Sequence, residues 1–321
     1  MSTVGSTPQE VHILDRLVLP VDEADPWLAR WRTDYLPAAR GRDMSPARVW
    51  QGHSGPDTVE VQVLWTVPGV IPFFAMRSVA NADPRITEFW ERTDAVAVER
   101  DRRVLRPVSD TGEQSAGRVP VRRTQDTSTA KGVRWVVHAA GAPDPAKLPS
   151  AVTDVSWGVD EQGSIGGQGA TWDLLTDEPA PEVAATVEGA VALAPLAAHH
   201  VPLEGRRVKR TLFLAVRPGT DPDLVTRFEE DLLAMPRHIS TIRSWSLSRV
   251  DQELSPSRWT HVWEQEYEDA AGLNGEYLQH PFHWTYVDRW FDSEVPGSIV
   301  EPRLAHLYRW ADGPVLTENR P

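Results

Sequence analysis

The fold is decided by the stretch Tyr277-Leu278-Gln279-His280-Pro281-Phe282-His283, which places one phenol and two imidazoles within seven residues. The spacing of residues in and around this stretch predicts a helix. Pro281 must bend it, because proline lacks the backbone donor and clashes with the preceding turn. On an unbroken helix Tyr277 and His283 would point about 240° apart, at ~100° per residue. The bend therefore determines whether the phenol and the imidazole can act together.

The elements around this stretch follow the order β-α-β-β-α-β. Apolar alternation marks the strands, and a 3.6-residue period marks the helices. Asp221 or Thr220 caps the first helix, whose acidic residues lie near its start. The predicted strands are 208–217, 239–250, 259–267 and 299–310, and the predicted helices are 222–235 and 268–291.

The N-terminal and middle segments repeat this order less completely. A long helical stretch in the first is broken near Pro84, and an Ala-rich stretch in the second predicts a helix. The polar segments 109–129 and 203–207 are predicted linkers. The predicted elements are strands 11–20, 47–53, 58–67, 133–140, 153–159 and 169–176 and helices 25–40, 71–103 and 181–198.

The composition is acidic and free of cysteine. The chain carries 46 Asp and Glu against 33 Lys and Arg, a net charge of −13, which argues against nucleic-acid and anionic-membrane partners. Without cysteine there is no disulfide, thiol nucleophile or thiolate metal site. There is no signal pattern at the N-terminus, and no apolar run approaches the roughly 18 residues of a membrane span. We predict a soluble cytoplasmic protein.

Four C-terminal motifs occur in a characteristic order: residues 208–214, 244–247 and 259–262, then Tyr277-x-x-His280-Pro281-x-His283. Together they resemble the stress-responsive dimeric α+β barrel (Dabb) family, in particular its olivetolic acid cyclase branch. The resemblance covers about 100 of the 321 residues. It implies ferredoxin-like units and an aldol-type ring closure of a polyketide, with no metal or cofactor.

An open four-stranded sheet with two helices on one face leaves its other face bare, and that face is usually covered by a second copy. We therefore predict an α+β fold of tandem ferredoxin-like units, at 1–112, 113–205 and 206–321, forming a dimeric-type α+β barrel. The middle and C-terminal units would pair within the chain. The N-terminal unit would mediate a homodimer.

The resemblance implies that Tyr277 and His283 are the catalytic residues. An unperturbed imidazole titrates near ~6.5 and a phenol near ~10, so His283 would abstract a proton α to a carbonyl. The Tyr277 hydroxyl would donate to the developing enolate oxygen. We therefore predict a cofactor-independent lyase or cyclase acting on a small aromatic or polyketide-like carbonyl compound.

Four further residues are predicted to bind the substrate. His261 and His280 match additional histidines of the family pattern. Trp245 and Trp284 are candidates for an aromatic lining in a chain with 14 Trp against 7 Phe and 5 Tyr. One departure is Arg210, which stands where the first strand of such domains usually carries a histidine. A fixed cation there would change the polarity of the pocket.

Other interpretations of the motif residues remain open. The motif residues could be a fold signature that packs the helix break, which would make the protein a non-catalytic stress-response binding module. A cofactor-free monooxygenase of phenolic compounds is a second alternative, to which the tryptophans would contribute. His280 and His283 with Glu276 have spacing suited to a metal, but no third positioned ligand is evident, so we predict neither metal nor cofactor.

Overall fold

The computed structural model describes residues 10–107, 132–201, 205–313 and 315. These residues form two compact units: 10–107 with 279–298, and 132–201, 205–278, 299–313 and 315. The chain therefore enters the first unit a second time at residue 279 and leaves it after residue 298. The predicted boundary between residues 112 and 113 lies outside the described residues, as does the whole linker predicted at 109–129.

The first unit contains a four-stranded antiparallel sheet in the order β2-β3-β1-β4. Large aromatic side chains of the sheet and helices form its core, among them Trp27, Trp65 and Trp90. A wider helical turn, Trp31–Tyr35, joins the first two helices. The elements are β1 Val11–Pro20, α1 Ala24–Arg30, α2 Leu36–Arg40, β2 Ser45–His53, β3 Thr58–Val67, α3 Val70–Ala82, α4 Pro84–Val96 and β4 Glu99–Leu105.

The helix predicted at 71–103 is too long. It breaks at Asp83 and Pro84 as expected, but α4 ends at Val96 and β4 follows. The charge-rich sequence of β4 shows no strand alternation of apolar residues. Antiparallel pairing with β1, which sets Arg102 opposite Asp15, makes it a strand.

The second unit is built on eight antiparallel strands in the order β12-β9-β11-β10-β8-β5-β7-β6. Each half repeats the fourth-first-third-second order of the first unit, so the predicted α+β fold of ferredoxin-like barrel type is confirmed. Arg309 Nη2 of β12 donates to Ser156 Oγ of β6 at 2.9 Å, which brings the two edges together into a nearly closed barrel. The strands are β5 Val133–Ala139, β6 Val152–Val159, β7 Ala170–Thr176, β8 Ala190–His199, β9 Arg207–Leu214, β10 Ser244–Val250, β11 His261–Tyr267 and β12 Ala305–Ala311.

The helix predicted at 181–198 is wrong. Only Glu182–Thr186 is helical (α5), and Ala190–His199 is strand β8. Alanine favours helices, but this segment joins the two halves of the barrel by pairing with β5 and β10. Its pairing with β10 shifts register near Pro195, which lacks a ladder donor. Tertiary pairing therefore overrides local propensity.

The helical segment predicted at 268–291 is broken at His280, next to Pro281, as expected. Before the break are α7, Ala270–Gly272, and a wide turn at Leu273–Tyr277. After it come a wide turn and a 3₁₀ turn, His283–Val287 and Asp288–Phe291. The boundary between the two units falls here, between residues 278 and 279.

The other helix of the second unit is α6, Pro222–Ala234, and the side chain of Asp221 caps it by accepting from Asp223 N at 2.9 Å. No helix among the described residues combines the length and apolar character needed to cross a bilayer.

Candidate functional site

Strand alternation places a row of polar side chains on the outer face of the barrel. Arg210 in β9 is paired with Tyr308 in β12 and with Gln265 in β11. Directly opposed residues share a face of a sheet, so the three side chains lie side by side on the face of the sheet that points away from the barrel interior. Gln265 is completely buried and Arg210 almost so.

Arg210 is the centre of a hydrogen-bond network. Its Nη1 donates to Gln265 Oε1 at 2.9 Å, and its Nε donates to His306 Nε2 at 2.5 Å. The Tyr267 hydroxyl donates to the same Gln265 oxygen at 2.9 Å. A guanidinium only donates, so Nε2 of His306 must be an acceptor and that imidazole is neutral in this arrangement. The network fixes the guanidinium plane.

Tyr277 packs directly against this network. Its side chain is completely buried. The Arg210 guanidinium carbon lies 5.0 Å from the centre of its ring, within cation–π distance. The ring of Tyr267 meets it edge-on at 5.8 Å. One of the two predicted catalytic residues therefore lies beside a permanent cation.

Burial governs the acidity of the neighbouring phenols. Desolvation, with a smaller contribution from Tyr277, raises the pKa of Tyr267 well above its usual value. Desolvation also raises the pKa of Tyr308, against the opposing influence of Arg210. Both phenols are therefore neutral at physiological pH, and Tyr267 serves as a hydrogen-bond donor.

His261, predicted to bind substrate, has both ring nitrogens engaged. Its Nε2 lies 3.0 Å from Glu229 Oε1, and its Nδ1 lies 2.8 Å from the hydroxyl of Thr260. Arg249 also donates to Glu229 through two nitrogens, at 2.7 and 3.0 Å. Burial raises the pKa of Glu229, but its bonds to His261 and Arg249 outweigh this and lower it. These contacts tie β11 and β10 to α6.

Trp245, also predicted to line the pocket, belongs to the second unit and is half-buried. Its ring lies 5.8 Å from that of Trp263 and 6.2 Å from that of His199. His199 ends strand β8 and not the helix predicted for that segment. The three rings form an aromatic group on the same barrel.

His283, the other predicted catalytic residue, belongs to the first unit. It is 5% exposed, and its Nε2 lies 3.5 Å from Asp288 Oδ1. Its ring lies 5.9 Å from that of Phe74. The Asp288 carboxylate is also paired with Arg77 at 3.2 Å. The imidazole thus has a carboxylate neighbour, as an acid–base group commonly does.

The remaining two predicted residues also lie in the first unit. Trp284 is 2% exposed and belongs to the hydrophobic core, with its ring 6.2 Å from that of Phe73. His280 is half-buried at the helix break, and its Nδ1 accepts from Phe282 N at 3.2 Å. Of the six predicted residues, the second unit therefore holds Tyr277, His261 and Trp245, and the first holds His283, His280 and Trp284.

Gln265, Tyr267 and His306 were not predicted from the sequence to have a role. The alternation of side chains along β11 and β12 could have predicted that the three residues lie on one face of the sheet. Only the register of these strands with β9 shows that the three residues lie next to Arg210. Within the described parts of the chain, no three His, Asp or Glu side chains are grouped closely enough to hold a metal ion.

The comparisons with known proteins agree with this part of the fold. Residues 208–300 match the model of the stress responsive A/B barrel domain family, Dabb. This segment begins at β9 and includes Arg210, Gln265, Tyr277 and His283. None of the curated proteins compared with the chain matches it.

Several solved structures are distantly similar. A NIPSNAP family protein of unknown function from Agrobacterium tumefaciens is 12% identical over 33% of this chain and 95% of its own, with a TM-score of 0.29. A NIPSNAP domain protein from Burkholderia xenovorans is 16% identical over 32% and 99%, with a TM-score of 0.28. A proposed monooxygenase from Fusobacterium nucleatum is 7% identical over 98% and 100%, with a TM-score of 0.26. Likenesses this distant carry no argument about activity.

Proposed function

We propose that this protein is a small-molecule enzyme of the Dabb type, a cofactor-independent lyase or cyclase that acts on a small aromatic or polyketide-like carbonyl compound. The observation that carries the proposal is the contact of Tyr277 with the fixed guanidinium of Arg210, inside the segment that matches the Dabb family. The finer resemblance to olivetolic acid cyclases, which comes from the sequence motifs, supplies the reaction type.

Arg210 is suited to stabilise an enolate. Its Nε and Nη1 donate to His306 and Gln265, and Nη2 is the donor that we assign to the substrate. A carbonyl oxygen held there would gain a charge-assisted hydrogen bond as negative charge develops on it. Because Gln265 and His306 hold the guanidinium in place, little reorganisation is needed when that charge appears.

Tyr277 would supply the proton. Loss of a proton from the carbon α to the carbonyl gives an enolate, whose carbon attacks a second carbonyl of the same molecule and forms the ring bond. The resulting alkoxide takes the hydroxyl proton of Tyr277. His283 as the base for the α proton is a prediction from the family resemblance, with Asp288 available to stabilise the imidazolium. The variant His283→Ala tests this role of His283 as the base.

The test is product formation from linear polyketide thioesters and from small aromatic aldehydes and ketones, followed by chromatography with mass detection. We expect Tyr277→Phe and His283→Ala each to lower the rate about 10²–10⁴-fold, and Arg210→Met about 10²–10³-fold. Tyr286→Phe is the matched control, because Tyr286 lies on the same helical segment but is 48% exposed. Melting temperatures of all variants show whether they fold.

Two results would contradict the proposal. Oxygen consumption with phenolic substrates, lost in the same variants, would make the protein a monooxygenase instead. Ligand binding that survives in His283→Ala, with no turnover of any compound by the unmodified protein, would make it a binding module.

A further inference from the structure

A polar pocket lies inside the first unit, where several elements meet around one carboxylate. The carboxylate belongs to Glu294, in the segment 279–298 by which the chain returns to this unit. Its side chain is completely buried, although the residues on either side, 293 and 295, are only half-buried. The side chain therefore points inward from a segment that is partly open to solvent.

Five donor atoms surround the Glu294 carboxylate. The Tyr35 hydroxyl and Arg42 Nη2 donate to Oε1 at 2.5 and 3.0 Å. Trp90 Nε1 donates to the same oxygen at 3.3 Å. Arg42 Nη1 donates to Oε2 at 3.1 Å, and Arg102 Nη1 lies 3.0 Å from that oxygen. Two guanidinium groups, a hydroxyl and an indole therefore converge on one carboxylate.

Contacts that do not involve Glu294 hold most of these donors in place. Arg102 donates to Asp15 through Nε and Nη2, at 2.7 and 3.2 Å. The same Nη2 also donates to the hydroxyl oxygen of Tyr35 at 3.0 Å. The Tyr35 ring meets that of Trp90 edge-on, with 5.1 Å between the ring centres. The donors are therefore positioned by the first unit itself, and positioned cationic donors are suited to bind a carboxylate.

The charges in the pocket balance when a carboxylate fills it. Arg42 and Arg102 are permanent cations, and Asp15 supplies one negative charge to the pair. Burial raises the pKa of Glu294, but Arg102 and Arg42 outweigh this and lower it, so the side chain is ionised at physiological pH. Without a second carboxylate, a positive charge would be left buried and unpaired, which is unfavourable.

The pocket lies at the place in the first unit that corresponds to the Arg210 network in the second. In the first unit β1 runs between β3 and β4, as β9 runs between β11 and β12 in the second. Asp15 in β1 is paired with Arg102 in β4, and Arg210 in β9 is paired with Tyr308 in β12. The first unit therefore fills with one of its own side chains the position that we assign to the substrate in the second.

We propose that this pocket is a carboxylate-binding site whose ligand in the folded chain is Glu294, and that this internal ligand fastens segment 279–298 to the first unit. When the Glu294 side chain is shortened, the site takes a small free monocarboxylate in its place. A carboxylate fits because its two oxygens accept from both guanidinium groups. The proposal concerns binding and does not depend on the proposed reaction.

The length of the missing side chain predicts which carboxylate suits each variant. Glu294→Ala removes a methylene and the carboxylate, which acetate replaces. Glu294→Gly removes a further carbon, so propionate is the better match. Acetamide has the shape of acetate without its charge and is the neutral control.

The test is the melting temperature of the full chain in sodium acetate, propionate or chloride at equal ionic strength, and in chloride with acetamide. We expect Glu294→Ala to melt about 5–15 °C below the unmodified protein in chloride. Acetate should recover at least about half of this loss and act with the logarithm of its concentration, whereas acetamide should recover none. In Glu294→Gly, propionate should recover more than acetate.

Two proteins serve as controls for general effects of the salts. The unmodified protein has a filled pocket, and Glu91→Ala changes an exposed carboxylate on α4. Both should melt at the same temperature in acetate as in chloride.

Hydrogen exchange tests the attachment of the segment. Amides of residues 283–298 should exchange at least ~10-fold faster in Glu294→Ala than in the unmodified protein, and acetate should slow them again. Unchanged exchange in this segment, with acetate bound, would show that the internal ligand does not fasten it.

A second measurement applies if Glu294→Ala does not fold in chloride. Refolding from urea in acetate, but not in chloride or acetamide, would support the proposal. Recovery in none of these solutions, equal effects of acetate and acetamide, or no response of either variant to either carboxylate would overturn it. None of these measurements uses turnover, so their outcome is independent of the proposed function.

Discussion

Arg210 shows how much one residue can change the chemistry of a site. The family pattern usually has a titratable imidazole at this place, whereas Arg210 is a permanent cation with a fixed fork of donors. Arg210 donates to Nε2 of His306, which leaves that imidazole neutral. The guanidinium of Arg210 also stacks on the ring of Tyr277. An imidazole at this position could transfer a proton, whereas the Arg210 guanidinium keeps its positive charge.

Glu229 contributes to the stability of the protein in a way that depends on pH. Its pKa is lowered by His261 and Arg249 against the effect of burial, so its contribution to stability is present above the unfolded value of ~4.3 and is lost as pH falls below it. We expect Glu229→Gln to reduce the free energy of unfolding at pH 7 by about 1–3 kcal/mol and to have little effect near pH 3. Urea denaturation at both values measures this.

The neighbouring Glu230 is the matched control, because it is exposed on the same helix. Glu230→Gln should leave stability unchanged at both pH values. An equal loss for Glu229→Gln at pH 3 and pH 7 would show that the ion pairs do not account for its effect.

At the level of elements, β9 is buried along its whole length because helices cover one face and the barrel interior receives the other. On the interior face, Lys209 bonds to Asp173 and lies 2.7 Å from Glu264. Arg134 and Arg309 bond to the same carboxylates at 2.8–3.1 Å. Burial raises the pKa of Asp173, but the cations outweigh this and lower it.

Removing the central cation of this layer should be costly. We expect Lys209→Met to reduce the free energy of unfolding by about 3–5 kcal/mol, because it leaves buried negative charge insufficiently compensated. Chemical denaturation monitored by tryptophan fluorescence provides the measurement. Lys147→Met is the control, since the Lys147 side chain is 83% exposed. A variant at 209 as stable as the unmodified protein would contradict this account.

The returning segment 279–298 is held in the first unit by a buried ion network. Glu294 is completely buried and accepts from the Tyr35 hydroxyl at 2.5 Å and from Arg42 Nη2 at 3.0 Å. Arg102 lies 3.0 Å from its other oxygen and pairs with Asp15 at 2.7 Å. Burial raises the pKa of Glu294, but Arg102 and Arg42 reverse the effect and lower it. This segment is therefore an integral part of the first unit.

The homodimer is still a prediction. The first unit exposes Val49 and Trp50 on edge strand β2, at 43% and 48%. We expect light scattering after size exclusion to give twice the chain mass of 35.8 kDa. Trp50→Glu should shift the protein toward the monomer, because a charge would have to be desolvated in the contact. A monomer at all concentrations would contradict the prediction.

Much of the architecture follows from local sequence patterns. Residues 11–20 and 58–67 alternate clearly and are strands with those bounds. The cap at Asp221 and the break beside Pro281 also occur where predicted, because each depends on a single side chain and its immediate backbone. The helix predicted at 181–198 is wrong because pairing with β5 and β10 overrides the helix preference of alanine.

Local sequence patterns were sufficient to predict the order of elements in the C-terminal segment, the position of the helix break and the segment that matches the Dabb family, since these depend on residues close together in the chain. The structure was needed to show that residues 279–298 join the first unit and that Arg210 contacts Gln265 and His306. Such contacts depend on strand register and on packing between segments far apart in the chain. No local pattern encodes them.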